Sequence, residues 1–137
     1  INPTQPLTAG MWNENQKLNE FLIENSDIIT FHCYAPKEET EKKMNYFLKF
    51  GRPVICTEWM NRVAKSYILD ILPVFKNANV GNIMWGLVNG KTQTHLPWGH
   101  RPEQLPYTGE WQHDIFKGNY APYDQKEIDL IKSMIEK

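Results

Sequence analysis

At 137 residues and a formal net charge of −1, the chain is long enough for one domain with a real core and has no basic stripe for nucleic acid. Its longest apolar runs are strand-length, far short of the roughly 20 residues a membrane-spanning helix needs, and Ile1-Asn2-Pro3 does not open a signal peptide, so an exported form would have lost its leader. Aromatic residues make up 12% of the chain, and Trp12, Trp59, Trp85, Trp98 and Trp111 fall at strand ends or in polar loops, where flat apolar faces suit a carbohydrate.

Pro6 to Trp12 reads as a short first strand. Asn13 to Asn25 follows as a helix, with Leu18, Phe21 and Leu22 at helical spacing and Asn13 or Asn15 as cap. Ile28 to Tyr34 is the second strand, stopped by Pro36. Glu38 to Phe50 repeats Met44, Phe47, Leu48 and Phe50 at helical spacing behind an acidic first turn, and Gly51 suits its C-terminal end.

The third strand lies in the stretch Arg52 to Arg62, whose short β-branched, apolar run ends in Glu58. Alternation puts Val54, Cys56 and Glu58 on one face, and Glu58 then either points to solvent, pairs with Arg62, or serves a site. Cys33 and Cys56 face opposite ways on this count, so both are expected as small buried thiols without a disulfide. Ser66 to Ala78 is a helix with Ile68, Leu69, Leu72 and Phe75 inward and a kink or break at Pro73. Val80 to Val88 is the fourth strand. A long loop from Asn89 to Pro122 is rich in Gly, Pro, His and Trp, a length uncommon unless functional. Asp124 to Glu136 closes the chain as a helix with Ile128, Ile131, Met134 and Ile135 inward, Asp124 as cap and Glu127 three residues on.

The pattern is β-α-β-α-β-α-β-loop-α, which fits either an open doubly wound sheet or half of a (β/α)8 barrel. Gly10-Met11-Trp12-Asn13-Glu14-Asn15 lacks the Gly-rich phosphate loop that a nucleotide-binding sheet would carry after its first strand. Polar and aromatic groups collect at every strand's carboxyl end: Trp12 and Asn13, His32 and Tyr34, Glu58 and Trp59, Trp85 and Asn89. In parallel α/β folds ligands bind at that rim.

These strand ends resemble those of the retaining glycoside hydrolases of clan A, the cellulase-like, family five type, and the likeness covers nearly the whole chain. Pro6-Leu7-Thr8-Ala9-Gly10-Met11-Trp12 is similar to the fifth barrel strand and Asp27-Ile28-Ile29-Thr30-Phe31-His32-Cys33-Tyr34 to the sixth. Arg52-Pro53-Val54-Ile55-Cys56-Thr57-Glu58 resembles the seventh and Gly81-Asn82-Ile83-Met84-Trp85-Gly86 the eighth. Trp111-Gln112-His113-Asp114-Ile115-Phe116 and Gly118-Asn119-Tyr120-Ala121-Pro122-Tyr123 resemble the lead into the last barrel helix. The resemblance implies the C-terminal half of a TIM (β/α)8 barrel, with four parallel βα units, as a single partial domain over residues 1–137.

It also implies a site. Glu58 becomes the nucleophile that attacks an anomeric carbon and forms a glycosyl-enzyme. Tyr34 and His32 would hold its carboxylate, Trp85 would floor the cleavage point, and Trp12, Trp59, Trp98 and Asn89 would contact flanking sugars. No cofactor is implied, and His95, His100 and His113, which lack HxH or HExxH spacing, are expected as surface or loop-packing residues rather than metal ligands. Trp111 is expected to anchor the loop.

Such an enzyme needs a second carboxyl about 5 to 5.5 Å from the nucleophile, which the resemblance places upstream of Ile1 in an Asn-Glu pair; Asn13-Glu14 is a weak stand-in. The expectation is therefore a glycosidase fragment, acting when intact on a β-linked glucan, mannan or xylan and inactive alone. Its expected partners are the carbohydrate, the missing half-barrel, and a second copy paired through exposed sheet edges. A non-catalytic carbohydrate-binding or pseudo-enzyme module is the alternative.

Overall fold

The computed structural model describes residues 3–101, 103 and 105–135, so Ile1-Asn2 and the expected end of the last helix at Glu136 lie outside it. The elements run α1 (Gln16–Glu24), β1 (Ile29–Cys33), α2 (Lys37–Leu48), β2 (Val54–Trp59), a 3-10 turn (Arg62–Ala64), α3 (Ile68–Asn77), β3 (Gly81–Met84) and α4 (Gln125–Ile135). β1, β2 and β3 form one parallel sheet in that order.

Among the described residues there are three strands, not four, which overturns the expectation of four parallel βα units and of a half-barrel built from them; the protein is a small α/β domain. The Pro6–Trp12 segment runs beside β1 but makes a single parallel bridge, Met11 to Phe31. The Met11 amide donates to the Thr30 carbonyl at 2.9 Å and its carbonyl accepts from His32 N at 3.0 Å. Upstream, Pro6 has no N–H to give. The Leu7 amide is taken by the Asp27 carboxylate at 2.8 Å, and its carbonyl accepts from the amides of Asp27 and Ile28. Leu7 and Met11 are thus tied to the chain at and before β1 without a continuous fourth ladder.

One face of the sheet is covered by helices. Ile29, Phe31, Cys33, Val54, Cys56 and Trp59 are all buried there. Phe31 packs on Phe47 of α2 with ring centroids 5.0 Å apart, and Trp59 meets Phe75 of α3 edge-on at 5.3 Å. The opposite face, carrying Thr30, His32, Ile55 and Ile83, has no helix layer, and Ile83 is 58% exposed.

Some helix faces differ from the periodic reading. Asn15 caps α1 by accepting from Leu18 N, but Leu18 and Phe21 are exposed and Ile23 is the buried residue. In α2, Met44 and Phe47 point inward while Leu48 and Phe50 do not, and Gly51 takes the left-handed φ of +66° that ends the helix region. α3 continues through Pro73 without a break and buries Ile68, Ile71 and Phe75, whereas Leu69 is exposed. In α4, Asp124 accepts from Lys126 N as expected of a cap. Ile128 is buried but Ile135 is exposed, and Glu127 turns inward to a partner elsewhere instead of closing a capping box.

The decisive irregularity lies in β2. Phe31 pairs with Cys56, yet His32 pairs with Glu58, so one extra residue is inserted and the register shifts. Strict alternation would have placed Glu58 on the Cys56 face, against the helices. The bulge moves it to the side of His32 and turns Trp59 to the core. It also explains the cysteines: Cys33 and Cys56 both face the helix layer, contrary to the alternation count, and both remain free thiols. Burial, with the Cys33 thiol second, pushes the Cys56 thiol up to about 12.

Candidate active site

β1 and β2 end side by side and bring three predicted residues together. Tyr34 Oη donates to Glu58 Oε2 at 2.9 Å, and His32 Nδ1 lies 3.3 Å from the same oxygen. All three are half-buried. Burial, then the hydrogen bond and charge of Glu58, push the Tyr34 hydroxyl well above its ordinary value, so it stays a donor. Lys43 of α2 donates to the His32 carbonyl at 2.9 Å and pins the end of β1.

This cluster lines a cleft of about 540 Å³, together with Trp12, Glu14, Glu39, Lys43 and Trp98. Trp12 and Trp98 are 69% and 66% exposed and present free aromatic surface. A second cleft, about 710 Å³ between α1 and α2, shares Glu14, Glu39 and Lys43 with the first.

Other predicted residues fall elsewhere. Trp59 is 0% exposed, donates from Nε1 to Asn82 Oδ1 at 3.2 Å, and belongs to the core, because the bulge reverses its face. Trp85 is partly exposed on the uncovered sheet face, its amide fixed to the Trp59 carbonyl at 3.0 Å, but it does not line the cleft. Asn89 is fastened through its amide to the Phe116 carbonyl at 2.9 Å and also lies outside it. Arg62 does not pair with Glu58. Its guanidinium is buried against Glu127, with contacts of 2.8 and 2.6 Å, donates to the carbonyls of Trp111, His113 and Asp114, and sits 4.4 Å over the Tyr123 ring. Trp111 stacks on Tyr123 at 4.9 Å and anchors the loop as expected.

His113 packs within the loop, as expected, but it also backs the site, which sequence reasoning missed. It is 1% exposed, and its ring lies 5.5 Å from Tyr34 and 5.7 Å from Trp98. Its Nδ1 is 2.6 Å from the Met60 carbonyl, which only accepts, so Nδ1 carries the proton. Nε2 then accepts from Gln112 Nε2 at 2.8 Å, and Gln112 Oε1 accepts from the Trp98 amide at 2.9 Å. Burial lowers the His113 pKa and favours this neutral form. Met60 is held at φ +77° and Asp114 at φ +63°, both outside the comfortable range of non-glycine residues. Gly86 is required here: a Cβ on it would lie 2.6 Å from the Asp114 amide nitrogen. The sequence signal was the polar run Gln112-His113-Asp114 set between Trp111 and Ile115. Glu39 and Lys43 were also missed, although four-residue spacing puts both on one face of α2.

His95 and His100 each enclose a ring nitrogen without a partner, yet no group of three or more His, Cys, Asp or Glu among the described residues is arranged to hold a metal ion. Among these residues, too, no helix is long and apolar enough to cross a membrane. No protein-family model matches the chain, and no curated protein matches it.

Proposed function

We propose that the cleft around Glu58 performs the nucleophilic half of retaining glycoside hydrolysis on a β-linked saccharide. The observation that carries this reading is the Tyr34 hydroxyl donating to Glu58 Oε2, with His32 on the same oxygen. The Tyr34 hydrogen bond, with the His32 ring against the same oxygen, holds Oε2 in place and leaves the other oxygen to attack. Attack on the anomeric carbon forms a glycosyl ester while the aglycone departs; water then cleaves the ester and returns the free carboxylate. Trp12 and Trp98 supply stacking faces for pyranose rings along the cleft.

The acid that protonates the leaving group is a separate requirement. Glu14 and Glu39 line the same cleft but are exposed, whereas a general acid working near neutral pH needs apolar surroundings that keep its proton on. The reading therefore assigns only the nucleophile to these residues. The chain alone is expected to be inactive on unactivated polysaccharide.

A test that needs no acid uses 2,4-dinitrophenyl 2-deoxy-2-fluoro glycosides of the gluco, manno and xylo series, whose leaving group departs unprotonated. Mass spectrometry should find one sugar bound to Glu58, absent in Glu58→Gln. Labelling elsewhere, or in both forms alike, overturns the assignment. The exposed faces of Trp12 and Trp98 favour a second reading, a carbohydrate-binding module without turnover. Under it, saccharide binds and Glu58 is never labelled.

A further inference from the structure

The wall of the Glu58 cleft is held by a directed chain of hydrogen bonds. It starts at the Met60 carbonyl, two residues beyond Glu58, passes through the His113 ring and the Gln112 carboxamide, and ends at the Trp98 amide. Trp98 in turn packs edge-on against Tyr34 with centroids 5.1 Å apart at 88°, and Tyr34 donates to Glu58. The direction of every link is fixed, because a carbonyl that only accepts stands at one end and an amide that only donates at the other. His113 and Gln112 are both buried, so neither can turn to water instead.

We infer that Gln112 and His113 are positioning residues that hold Trp98 against Tyr34 by the direction of these hydrogen bonds, and that a proton on His113 Nε2 reverses that direction and frees Trp98. Protonated Nε2 is a donor facing the donor Gln112 Nε2. If the carboxamide flips to offer its oxygen to the ring, its nitrogen faces the Trp98 amide, again donor to donor. Either way one buried donor loses its acceptor, and the cheapest relief is for exposed Trp98 to leave for solvent. The groups acting on the His113 ring are Asp114 beside it, Arg62 from the β2–α3 connection, Glu58 from the end of β2, and the Tyr34 ring from the end of β1. Burial outweighs the acidic neighbours and keeps the ring neutral until the pH falls below its ordinary value.

The substitution Gln112→Glu separates this device from a merely structural one. The carboxylate it introduces accepts from both the Trp98 amide and protonated His113 Nε2, so protonation no longer conflicts with the wall. The experiment is NMR on the 137-residue chain from about pH 8 to pH 5, following the His113 ring protons and the Trp98–Tyr34 ring contact by NOE. In the natural sequence the contact is expected to disappear as His113 titrates. In Gln112→Glu, His113 is expected to titrate at higher pH with the contact kept throughout. A contact that survives His113 titration in the natural sequence overturns the inference, and this arm needs no variant to fold. Loss of the contact in Gln112→Glu in step with the natural sequence overturns it as well.

The functional consequence rests on the proposed saccharide site and is read separately, by titrating β-linked glucan, mannan and xylan hexasaccharides. Affinity is expected to fall roughly tenfold on the acid side, the size of one lost aromatic contact, in the natural sequence only. Absence of binding at every pH counts against the saccharide reading and leaves the NMR result to decide the switch. Equal binding on both sides of a confirmed loss of the Trp98 contact overturns the role of Trp98 as the cleft wall.

Discussion

Glu58 owes its setting to one hydroxyl more than to any charge. Tyr34 is the donor that reaches it at 2.9 Å, and its raised pKa keeps that proton in place. Tyr34→Phe removes the donor without changing the ring packed on Trp98, and is expected to slow covalent labelling of Glu58 about tenfold, about 1.4 kcal/mol. Labelling rates of the two forms with the same fluoro-glycoside check it. Titration of half-buried His95 and buried His113 belongs to the same scale. His95 and His113 are both held below the ordinary histidine value, chiefly by burial. The unfolded chain therefore takes up protons before the folded one as the pH drops. Their contribution to stability is present above about pH 6.5 and is lost as the pH falls through their folded-state values. Urea midpoints should decline across this window, and a flat profile would count against a neutral, enclosed His113.

At the scale of elements, the bulge in β2 matters more than the length of any strand. Without it Glu58 would face the helices, where burying a carboxylate is costly, and Trp59 would face the open side. Nothing in the residue types announces the bulge, since Thr57 is as good a strand residue as its neighbours. Period-two alternation thus assigned the right end of the right strand but put Glu58 on the face of Cys56, where the bulge sets the two on opposite faces and turns Trp59 with it. α3 shows the converse, a local rule overruled by packing. Pro73 removes a helix donor and leaves the Leu69 carbonyl without it, but Ile68, Ile71 and Phe75 anchor both halves in the core. Pro73→Ala restores the donor and is expected to raise stability by about 1 to 3 kcal/mol in urea unfolding.

For the whole molecule, the long loop is tied to the sheet end by one buried cation. Arg62 holds Glu127 of α4 and three loop carbonyls at once, with both charged groups nearly solvent-free. Removing the carboxylate strands a buried guanidinium, so Glu127→Ala is expected to cost about 3 to 5 kcal/mol in chemical unfolding. The sheet is less well protected. A parallel sheet is normally covered on both faces, yet here one face exposes Ile83 and Trp85, and no strand pairs with the outer side of β3 among the described residues. Concentration-dependent self-association is expected by light scattering, and Ile83→Lys, which puts a charge on that edge strand, should reduce it.

By itself the sequence located the four helices and three of the four strands expected of it, and it placed His32, Tyr34 and Glu58 at the carboxyl ends of strands. Those facts follow from hydrophobic period, chain punctuation and the long crossovers, all local or nearly so. Only the tertiary structure decided that Pro6–Trp12 makes one bridge instead of a strand, with Met11 bonded to Thr30 and His32 while Leu7 bonds to Asp27 and Ile28 ahead of β1. It alone decided the bulge and hence the side on which Glu58 stands, because register is a property of two strands together. The Trp98–Gln112–His113–Met60 chain, finally, joins residues up to 53 positions apart, and its hydrogen-bond direction is set by backbone groups that no residue type encodes.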